Sequence, residues 1–318
     1  MQPLVAAVRV VVAVRAVVEE VADAEAAGVV DAVAANVDWA ALPTLGVGLG
    51  FRPIHRSEIF LYRDQIHFLE VTADHYFDPV AEKDNELRLL AKNFAIIPHG
   101  LAMSLGSAEG LDAEYVAEFT NVVDIVQPAW CSDHIAFTRA GGLEIGHLTP
   151  IPRTKASLRV LDRNIAVLKQ SVSVPIILEN ITETILFPGE ALEQAEFLTE
   201  LCEQSDAGLL LDVTNLFINS VNHRYDPIAV LHGLPRERIV QLHFVGGQLR
   251  DGVWIDSHGD ETNEEVWQLL EEVLKYAPVK GMILERDENI PPLAQLIPEI
   301  SRATQLGIKY GRWAAVHD

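Results

Sequence analysis

The feature that most constrains the fold is a series of eight short apolar runs separated by longer helical patterns. The runs span residues 45–51, 66–72, 94–100, 129–135, 175–181, 208–215, 240–247 and 281–286. Near-continuous apolar runs of this length are typical of parallel strands that are buried on both faces. Helical patterns lie between them, at residues 110–127, 154–171, 190–205, 262–276 and 291–305.

The number and order of these units predict an α/β fold of the TIM (β/α)8 barrel class. A doubly wound sheet is the main alternative, but it would usually place a glycine-rich phosphate-binding turn after the first strand. Gly46, Gly48 and Gly50 instead lie at alternate positions inside the first strand. No low-complexity linker divides the chain, so residues 44–318 are predicted to form one barrel domain.

Residues 1–43 are predicted to be a short, helical N-terminal extension. Residues 4–18 are rich in Val and Ala, but Arg9 and Arg15 interrupt the apolar run. A membrane span needs about 20 apolar residues, and a signal peptide carries its charge ahead of its apolar core. Neither pattern fits. The extension is interpreted as a packing arm or the product of a start codon placed too far upstream, with a docking or dimerisation element as the alternative.

The charge balance excludes some partners. Asp and Glu number 46 against 24 Lys and Arg, which gives a formal net charge of -22. Such a field repels phosphate backbones, so nucleic acid is not expected as a partner, whereas cations or a basic peptide would be attracted. Two cysteines cannot form a disulfide framework, which favours a reducing cytoplasm.

Residues able to bind metal ions concentrate at the C-terminal ends of the predicted strands, where TIM barrels have their active sites. Eight of the 11 histidines lie there, namely His55, His75, His99, His134, His147, His223, His243 and His258. Carboxylates follow the same strands, namely Glu70, Asp74, Asp133, Glu179, Asp212, Asp256, Glu285 and Asp287. Imidazoles and carboxylates that converge on one barrel mouth need a cation between them.

This mixture of nitrogen and oxygen ligands suits Fe, Mn or Zn, and the number of candidates favours two or three metal ions. His99, His134 and His243 are favoured as ligands because their sequence neighbours are of buried types. Asn180 and Asn215 are expected either to bind metal through their amide oxygens or to orient the ligands. Arg52 is expected to bind a substrate carboxylate, with a structural salt bridge as the alternative.

Nine strings of residues occur at these strand ends in a fixed order. They are GLGFRPIH (48–55), PHGLAMSLGS (98–107), SDHIAF (132–137), LTPIPRT (148–154), LEN (178–180), LLLDVTN (209–215), HFVGG (243–247), IDSHGD (255–260) and LERDENIP (284–291). In these motifs, over roughly residues 44 to 305, the chain resembles the multinuclear non-heme iron-dependent oxidative enzymes, the family of the methanobactin-biosynthesis oxidase.

The resemblance implies a TIM barrel that binds two or three irons in mixed Fe(II)/Fe(III) states and uses O2 as co-substrate. It also implies a ribosomally synthesised precursor peptide as substrate, modified at Cys or another core position, and a separate partner protein that recognises the leader of the precursor. Carried over by motif, the metal ligands are His55, Asp74, His99, Asp133, Glu179, Asp212, His223, His243, Asp256, His258 and Glu285. Asp212, His243 and Glu179 carry the catalytic role in this prediction, and Arg52, Asn180 and Asn215 contact the substrate.

Three departures from the family pattern affect the metal count. Asp74–His75–Tyr76 replaces the usual Glu-Asn-Tyr, and Ser132–Asp133–His134 replaces Ser-Glu-His. The usual second histidine after the seventh strand is Gly247 here. An Asp reaches less far than a Glu, so a metal pair is expected more firmly than a third metal.

Two other functions are compatible with the same residues. One is a divalent-metal isomerase or phosphoesterase, which would work without O2 and usually keeps a Lys near its metals. The strand ends carry no Lys, which counts against this class. The other is a non-catalytic subunit that binds metal or a peptide.

Overall fold

The structure, a computed structural model, describes residues 37–78, 80–187 and 190–314. Residues 1–36, which make up most of the predicted helical N-terminal extension, lie outside the described residues, so the extension stays a prediction over that range. Within the described part of the chain, no helix is long and apolar enough to cross a membrane.

The strands, in chain order, are β1 (Gly46–Gly50), β2 (Phe68–Thr72), β3 (Ala95–His99), β4 (Cys131–His134), β5 (Phe137–Ala140), β6 (Leu143–Thr149), β7 (Ile176–Glu179), β8 (Gly208–Asp212), β9 (Ile239–Phe244), β10 (Gly246–Arg250), β11 (Val253–Asp260) and β12 (Gly281–Leu284). The α-helices are α1 (Ala81–Asn93), α2 (Ala113–Val126), α3 (Lys155–Ser171), α4 (Gln194–Ser205), α5 (Val213–His223), α6 (Pro227–Gly233), α7 (Glu264–Tyr276) and α8 (Leu293–Lys309). Short 3-10 helices occupy Trp39–Ala41, Pro53–His55, Ile59–Tyr62, Ala73–Tyr76 and Arg236–Arg238.

Eight parallel strands close into a barrel in the order β1-β2-β3-β4-β7-β8-β9-β12, and β12 pairs with β1. This confirms the TIM-barrel prediction, and each of the eight apolar runs coincides with one barrel strand to within a few residues at its ends. Six of these strands, β1, β4, β7, β8, β9 and β12, are buried at every residue, as the sequence pattern predicted for a parallel sheet covered on both faces.

Large side chains fill the barrel interior toward the N-terminal ends of the strands. Phe68, Ile97, Ile177, Leu210, Val240 and Ile283, one from each of six barrel strands, pack with Trp39 and Trp130 in one cluster. A Cβ atom added at Gly48 would lie 2.8 Å from Ile283 Cδ1, and one added at Gly281 would lie 2.9 Å from Phe68 Cζ. These glycines therefore make the space that Phe68 and its neighbours fill.

Two antiparallel hairpins were not predicted from the sequence. β5 pairs with β6 directly after β4, and β10 pairs with β11 directly after β9, so both hairpins extend from the C-terminal ends of barrel strands. His147 lies on β6, and Asp256 and His258 lie on β11 rather than in open loops. The hairpins escaped prediction because their exposed residues form no continuous apolar run.

The sixth apolar run also differs from its prediction. It was assigned as a strand over residues 208–215, but the strand ends at Asp212 and α5 begins at the next residue. The Asp212 side chain accepts a hydrogen bond from Asn215 N and so caps the helix. His223, predicted in a loop, is consequently the last residue of α5.

Trp39 is the side chain that closes the N-terminal end of the barrel, and it is 8% exposed. Replacing it with Ala should lower the free energy of unfolding by about 3–5 kcal/mol, because the cluster would be left with a cavity. Urea denaturation followed by far-UV circular dichroism measures this change. Leu61→Ala, at a side chain that is 79% exposed, is the control and should change stability by less than about 0.5 kcal/mol. If Trp39→Ala and Leu61→Ala lowered the free energy of unfolding equally, Trp39 would not be the side chain that closes this end of the barrel.

Candidate metal centre

The C-terminal ends of the barrel strands bring metal-binding side chains into three adjoining groups. The first group is His99, His134 and Glu179; the central group is Glu179, Asp212, His243 and Glu285; the outer group is His258, Glu285 and Asp287. Within each group the ligand atoms lie within 4.8 Å of one another. Glu179 belongs to two groups and Glu285 to two, so the three groups form a continuous row.

The first group has the spacing of ligands around one cation. His99 Nε2 and His134 Nε2 are 3.2 Å apart, and they lie 3.2 and 3.4 Å from Glu179 Oε2. Ligand atoms that bind one metal at about 2.1 Å lie about 3.0–3.4 Å from each other in tetrahedral or octahedral geometry. Among the residues that the structure describes, Glu179 Oε2 has no hydrogen-bond donor in good alignment despite these short distances. A cation between the three atoms would satisfy all of them.

The Nδ1 atoms of His99 and His134, which are not the nitrogens nearest to Glu179, lie at hydrogen-bond distance from other groups. His134 Nδ1 lies 3.1 Å from the carbonyl oxygen of Gly100, which can only accept, so Nδ1 carries the hydrogen and Nε2 is free to bind metal. His99 Nδ1 lies 2.8 Å from Ser132 Oγ. Burial lowers the pKa of His134 to about 4, which keeps its ring neutral. A neutral imidazole with one free nitrogen is the form that ligates metals.

The central group lies deepest in the barrel mouth. His243 Nδ1 is 3.3 Å from Glu179 Oε1 and 3.0 Å from Glu285 Oε2. Burial raises the pKa of Asp212 well above its ordinary value, and the nearby Glu179 and Asp256 raise it further. For Glu179, burial acts in the same direction, but the neighbouring His243 and His134 lower its pKa to about 2. The carboxylates of this group thus depend on nearby positive charge to stay ionised.

Asp212 Oδ2 provides the test of whether these residues fit a metal ion. Asp212 is fully buried, and within the described part of the chain its Oδ2 has no hydrogen-bond partner. A buried carboxylate oxygen without a partner is costly unless a cation binds it. The residues therefore fit metal ions, and the mixed nitrogen and oxygen set suits Fe, Mn or Zn better than Mg or Ca.

The outer group is more open, and its two carboxylates are already paired with the positive side chain of Arg52. His258 Nδ1 lies 3.2 Å from Asp287 Oδ2 and 3.6 Å from Glu285 Oε2. Arg52 Nε donates to Asp287 Oδ1 at 2.6 Å, and Arg52 Nη2 donates to Glu285 at 3.4 Å. His258 has a φ of 49°, an uncommon value for a non-glycine residue that often marks a functional site.

Six of the eleven predicted ligands belong to these groups: His99, Glu179, Asp212, His243, His258 and Glu285. The other five lie as follows. His55 is buried on a 3-10 helix, and its Nε2 has no partner among the described residues. Asp74 accepts hydrogen bonds from Tyr115 Oη at 2.8 Å and from Leu101 N at 2.9 Å, and Asp133 Oδ1 accepts one from His134 N at 2.7 Å. Asp256 Oδ1 lies 2.7 Å from His258 Nε2, and His223 Nε2 lies 2.7 Å from Glu183 O. Their roles as ligands stay predictions.

The three predicted substrate contacts are engaged with the protein itself. Asn180 forms two hydrogen bonds with the backbone of Asp212, at 2.9 and 3.0 Å. Asn215 Nδ2 donates to Asn180 O at 3.2 Å, and Arg52 pairs with Asp287 and Glu285. The two Asn residues thus orient Asp212, and Arg52 forms a structural salt bridge, which was the alternative to its predicted contact with a substrate carboxylate.

Two relevant residues, Asp287 and Glu70, were not predicted as ligands, and His134 was favoured as a ligand from its sequence neighbours but is absent from the set carried over by motif. His134 and Asp287 belong to the ligand groups, and Glu70 lies 2.8 Å from His243 Nε2. All three had been noted at strand ends, and His134 pairs in register with Glu179 across β4 and β7. That register was the available signal, because residues opposite each other on neighbouring parallel strands reach the same level of the barrel.

A cavity of about 1050 Å³ opens above the three groups. One wall is apolar and includes Ile181, Val221, Trp254 and Ile255. The hairpin that carries Trp254 is fixed to α5 in two ways. The Asn222 side-chain amide exchanges two hydrogen bonds with the Trp254 backbone, at 2.9 and 3.0 Å, and the rings of Phe217 and Trp254 pack edge to face with centroids 5.0 Å apart. The wall is therefore part of the rigid frame.

The chain has recognisable relatives. The family model described as "RiPP precursor modification enzyme MbnB/TglH/ChrH" matches residues 46–307. A UPF0276 protein of Caulobacter vibrioides is 32% identical over 275 residues, covering 86% of this chain and 96% of that protein. A UPF0276 protein of Bordetella pertussis is 36% identical over 262 residues, covering 81% of this chain and 91% of that protein.

Solved structures share the fold at low sequence identity. A xylose isomerase domain protein from Planctomyces limnophilus has a TM-score of 0.55 and 15% identity, covering 85% of this chain and 100% of that one. The IOLI protein, solved with a bound zinc atom, has a TM-score of 0.52 and 13% identity, again covering 85% of this chain and 100% of that one. These similarities support the barrel alone.

The substitution Asp212→Asn distinguishes two effects of the buried carboxylate, namely its destabilisation of the metal-free fold and its binding of a metal ion. Above a pH of about 4, the metal-free Asp212→Asn protein should melt at the same temperature as the wild type or higher. The reason is that the raised pKa of Asp212 makes its ionisation unfavourable in the folded state, a cost that grows with pH. The rise in Tm that added Zn²⁺ gives the wild type should be lost in the variant, as measured by differential scanning calorimetry.

Asp112→Asn is the matched control, because Asp112 caps α2 as Asp212 caps α5 but belongs to none of the ligand groups. It should keep the full Zn²⁺-dependent rise in Tm. An undiminished rise in the Asp212→Asn protein would show that Asp212 is not a ligand.

Proposed function

The chain belongs to the family of RiPP precursor modification enzymes MbnB/TglH/ChrH, and we propose that it is an O2-dependent oxidase that uses a multinuclear non-heme iron centre to modify a ribosomally synthesised precursor peptide. The observation that carries this proposal is the row of three ligand groups at the floor of one cavity, joined by Glu179 and Glu285. The family match confirms the resemblance inferred from the nine motifs.

The two carboxylates that join the groups support a multinuclear centre over a single ion. Glu179 directs Oε2 to His99 and His134 and directs Oε1 to His243. Glu285 Oε2 lies between His243 and His258. A carboxylate whose oxygens face ligands of two neighbouring sites is suited to bridge two cations. We propose two or three irons in mixed Fe(II)/Fe(III) states.

Each part of the protein has a separate task in this proposal. Bound iron would supply the redox chemistry, with O2 as co-substrate. Glu179, Asp212 and His243 would hold it, and Asn180 and Asn215 would keep Asp212 in position. The buried central group excludes water, and the cavity above it, at the upper end of the usual size for small-molecule sites, offers room for a peptide segment.

We also propose a partner protein that recognises the leader of the precursor peptide. The net charge of -22 supports a basic leader or a basic partner surface, because opposite charges speed association. Cys131 and Cys202 are both free and buried, which supports a reducing cytoplasm as the place of reaction.

The alternative as a divalent-metal isomerase or phosphoesterase has less support. No Lys is among the described residues that line the cavity, whereas such enzymes usually keep one near the metals. The second alternative is a non-catalytic subunit, which would bind iron but consume no O2 with any peptide.

Metal analysis tests the centre directly. Protein purified without added metal should contain at least two irons per chain, partly ferric, by plasma emission and Mössbauer spectroscopy. Zinc, manganese or magnesium alone would favour the isomerase or phosphoesterase alternative. Iron without O2 consumption on any candidate peptide would favour the non-catalytic subunit.

Substitution at His243 tests whether the centre performs the reaction. His243→Ala should lose iron and lower the rate of O2 consumption with a Cys-containing precursor peptide by more than about 100-fold. His147→Ala is the matched control because His147 is an exposed histidine at the same end of the barrel, and it should keep both iron and rate. Peptide oxidation by metal-depleted His243→Ala protein would contradict the proposal.

A further inference from the structure

A chain of hydrogen-bonded side chains runs through the barrel interior to the ring of His243. Trp130 Nε1 lies 2.8 Å from Gln241 Oε1, Gln241 Nε2 lies 2.6 Å from Glu70 Oε2, and Glu70 Oε1 lies 2.8 Å from His243 Nε2. All four side chains are buried, with Glu70 the most exposed at 3%. We call these residues the interior chain. None of the functions assigned above uses Trp130, Gln241 or Glu70.

The direction of each hydrogen bond is fixed by chemistry. An indole nitrogen can only donate, so Gln241 must present its oxygen to Trp130 and its NH2 group to Glu70. An ionised carboxylate can only accept, so Glu70 accepts from Gln241 through one oxygen and from His243 through the other. Gln241 Nε2 also lies 3.4 Å from His243 Nε2, but the Glu70 carboxylate oxygen is closer, at 2.8 Å, so His243 carries a hydrogen on Nε2 that it donates to Glu70.

We infer that Glu70 is a positioning residue that holds His243 in its Nε2–H tautomer, so that the other ring nitrogen, Nδ1, binds the metal of the central group. Nδ1 is the nitrogen that faces Glu179 Oε1 at 3.3 Å and Glu285 Oε2 at 3.0 Å. This inference rests on the proposed metal centre. It also makes His243 the reverse of His134, whose Nδ1 faces a carbonyl and whose Nε2 is free.

The interior chain is built into the frame of the barrel. Glu70 lies on β2, whereas Gln241 and His243 lie two residues apart on β9, so both β9 side chains point to the same side. β2 and β9 are separated in the barrel by β1 and β12, which means that the contact crosses the interior. Trp130 precedes β4, and its ring packs in the cluster that contains Phe68 and Ile283. The orientation of the His243 ring is thus tied to the packed core.

Glu70→Gln should reverse the tautomer while keeping the shape of the side chain. Gln241 still has to donate toward position 70, so the new amide there would accept through its oxygen and turn its NH2 group toward His243 Nε2. His243 Nε2 would then have to accept, which moves the ring hydrogen to Nδ1, the metal-facing nitrogen. Metal binding would have to reverse this arrangement.

The double variant Glu70→Gln/Gln241→Glu should restore the original order. The carboxylate introduced at position 241 would accept from Trp130 and from the NH2 group of the amide at position 70. The oxygen of that amide is then left to accept from His243 Nε2–H. The two substitutions exchange a carboxylate and an amide inside the same buried chain, so the total charge is unchanged. If Glu70 only filled space or only balanced charge, the second substitution would not restore metal binding.

The test uses Zn²⁺ as the probe on metal-free full-length protein. Competition with a chromophoric chelator gives the affinity, and ¹⁵N-histidine NMR of the Zn²⁺-loaded protein identifies the metal-bound nitrogen. Glu70→Gln should weaken Zn²⁺ binding by about 10–100-fold, the usual effect of losing a residue that orients a metal-binding histidine. The double variant should recover most of that loss, and wild-type His243 should bind through Nδ1. Glu86→Gln, a largely buried carboxylate on α1 outside the centre, should bind Zn²⁺ like the wild type.

Three results would overturn the inference: wild-type His243 bound to Zn²⁺ through Nε2, an unchanged affinity in folded Glu70→Gln protein, or a double variant no better than Glu70→Gln. Circular dichroism of the metal-free variants verifies folding. The outcome is separable from the proposed function, because Zn²⁺ binding and the tautomer do not depend on peptide oxidation. A wild type that binds Zn²⁺ through His243 Nδ1 but never oxidises a peptide would refute only the oxidase.

Discussion

The centre depends on a buried excess of carboxylates that only nearby positive charge can stabilise. Glu179 and Glu285 each belong to two ligand groups, and Asp212 has a buried oxygen without a partner among the described residues. Isolated carboxylates in such surroundings would take up protons. The strand ends supply histidines and Arg52 on the open side, and bound metal ions would supply the rest of the positive charge.

Much of the fold was predictable because parallel strands in a barrel are buried on both faces. Each barrel strand therefore leaves a continuous apolar run, and all eight were recognised in the sequence. The β10–β11 hairpin was missed because it is half exposed and has no such run. The boundary at Asp212 was missed because the residues that follow it are as apolar as a strand, and only the capping bond of Asp212 ends β8 and begins α5.

The site was predictable to the level of strand ends but not to the level of side-chain direction. Position along parallel strands places His99, Glu179 and His243 at one end of the barrel. Whether a side chain then turns toward its neighbours depends on local partners. Asp74 is held by Tyr115 and Leu101, and Asp133 accepts from its own neighbour His134. Both are one methylene shorter than the Glu of the family pattern, and those contacts are not evident from sequence.

The side chains that pack with Trp39 in the barrel interior limit how a polymer can enter this cavity. With the far end of the barrel filled by packed side chains, the described residues leave a peptide no route through the barrel past the candidate metal centre. It must arrive and depart by one opening, either end-first or as a bent segment whose two arms both lead back to solvent. Under the proposed function, a modified position far from either terminus of the precursor would therefore demand a sharp turn there, and residues that favour turns beside it would ease entry.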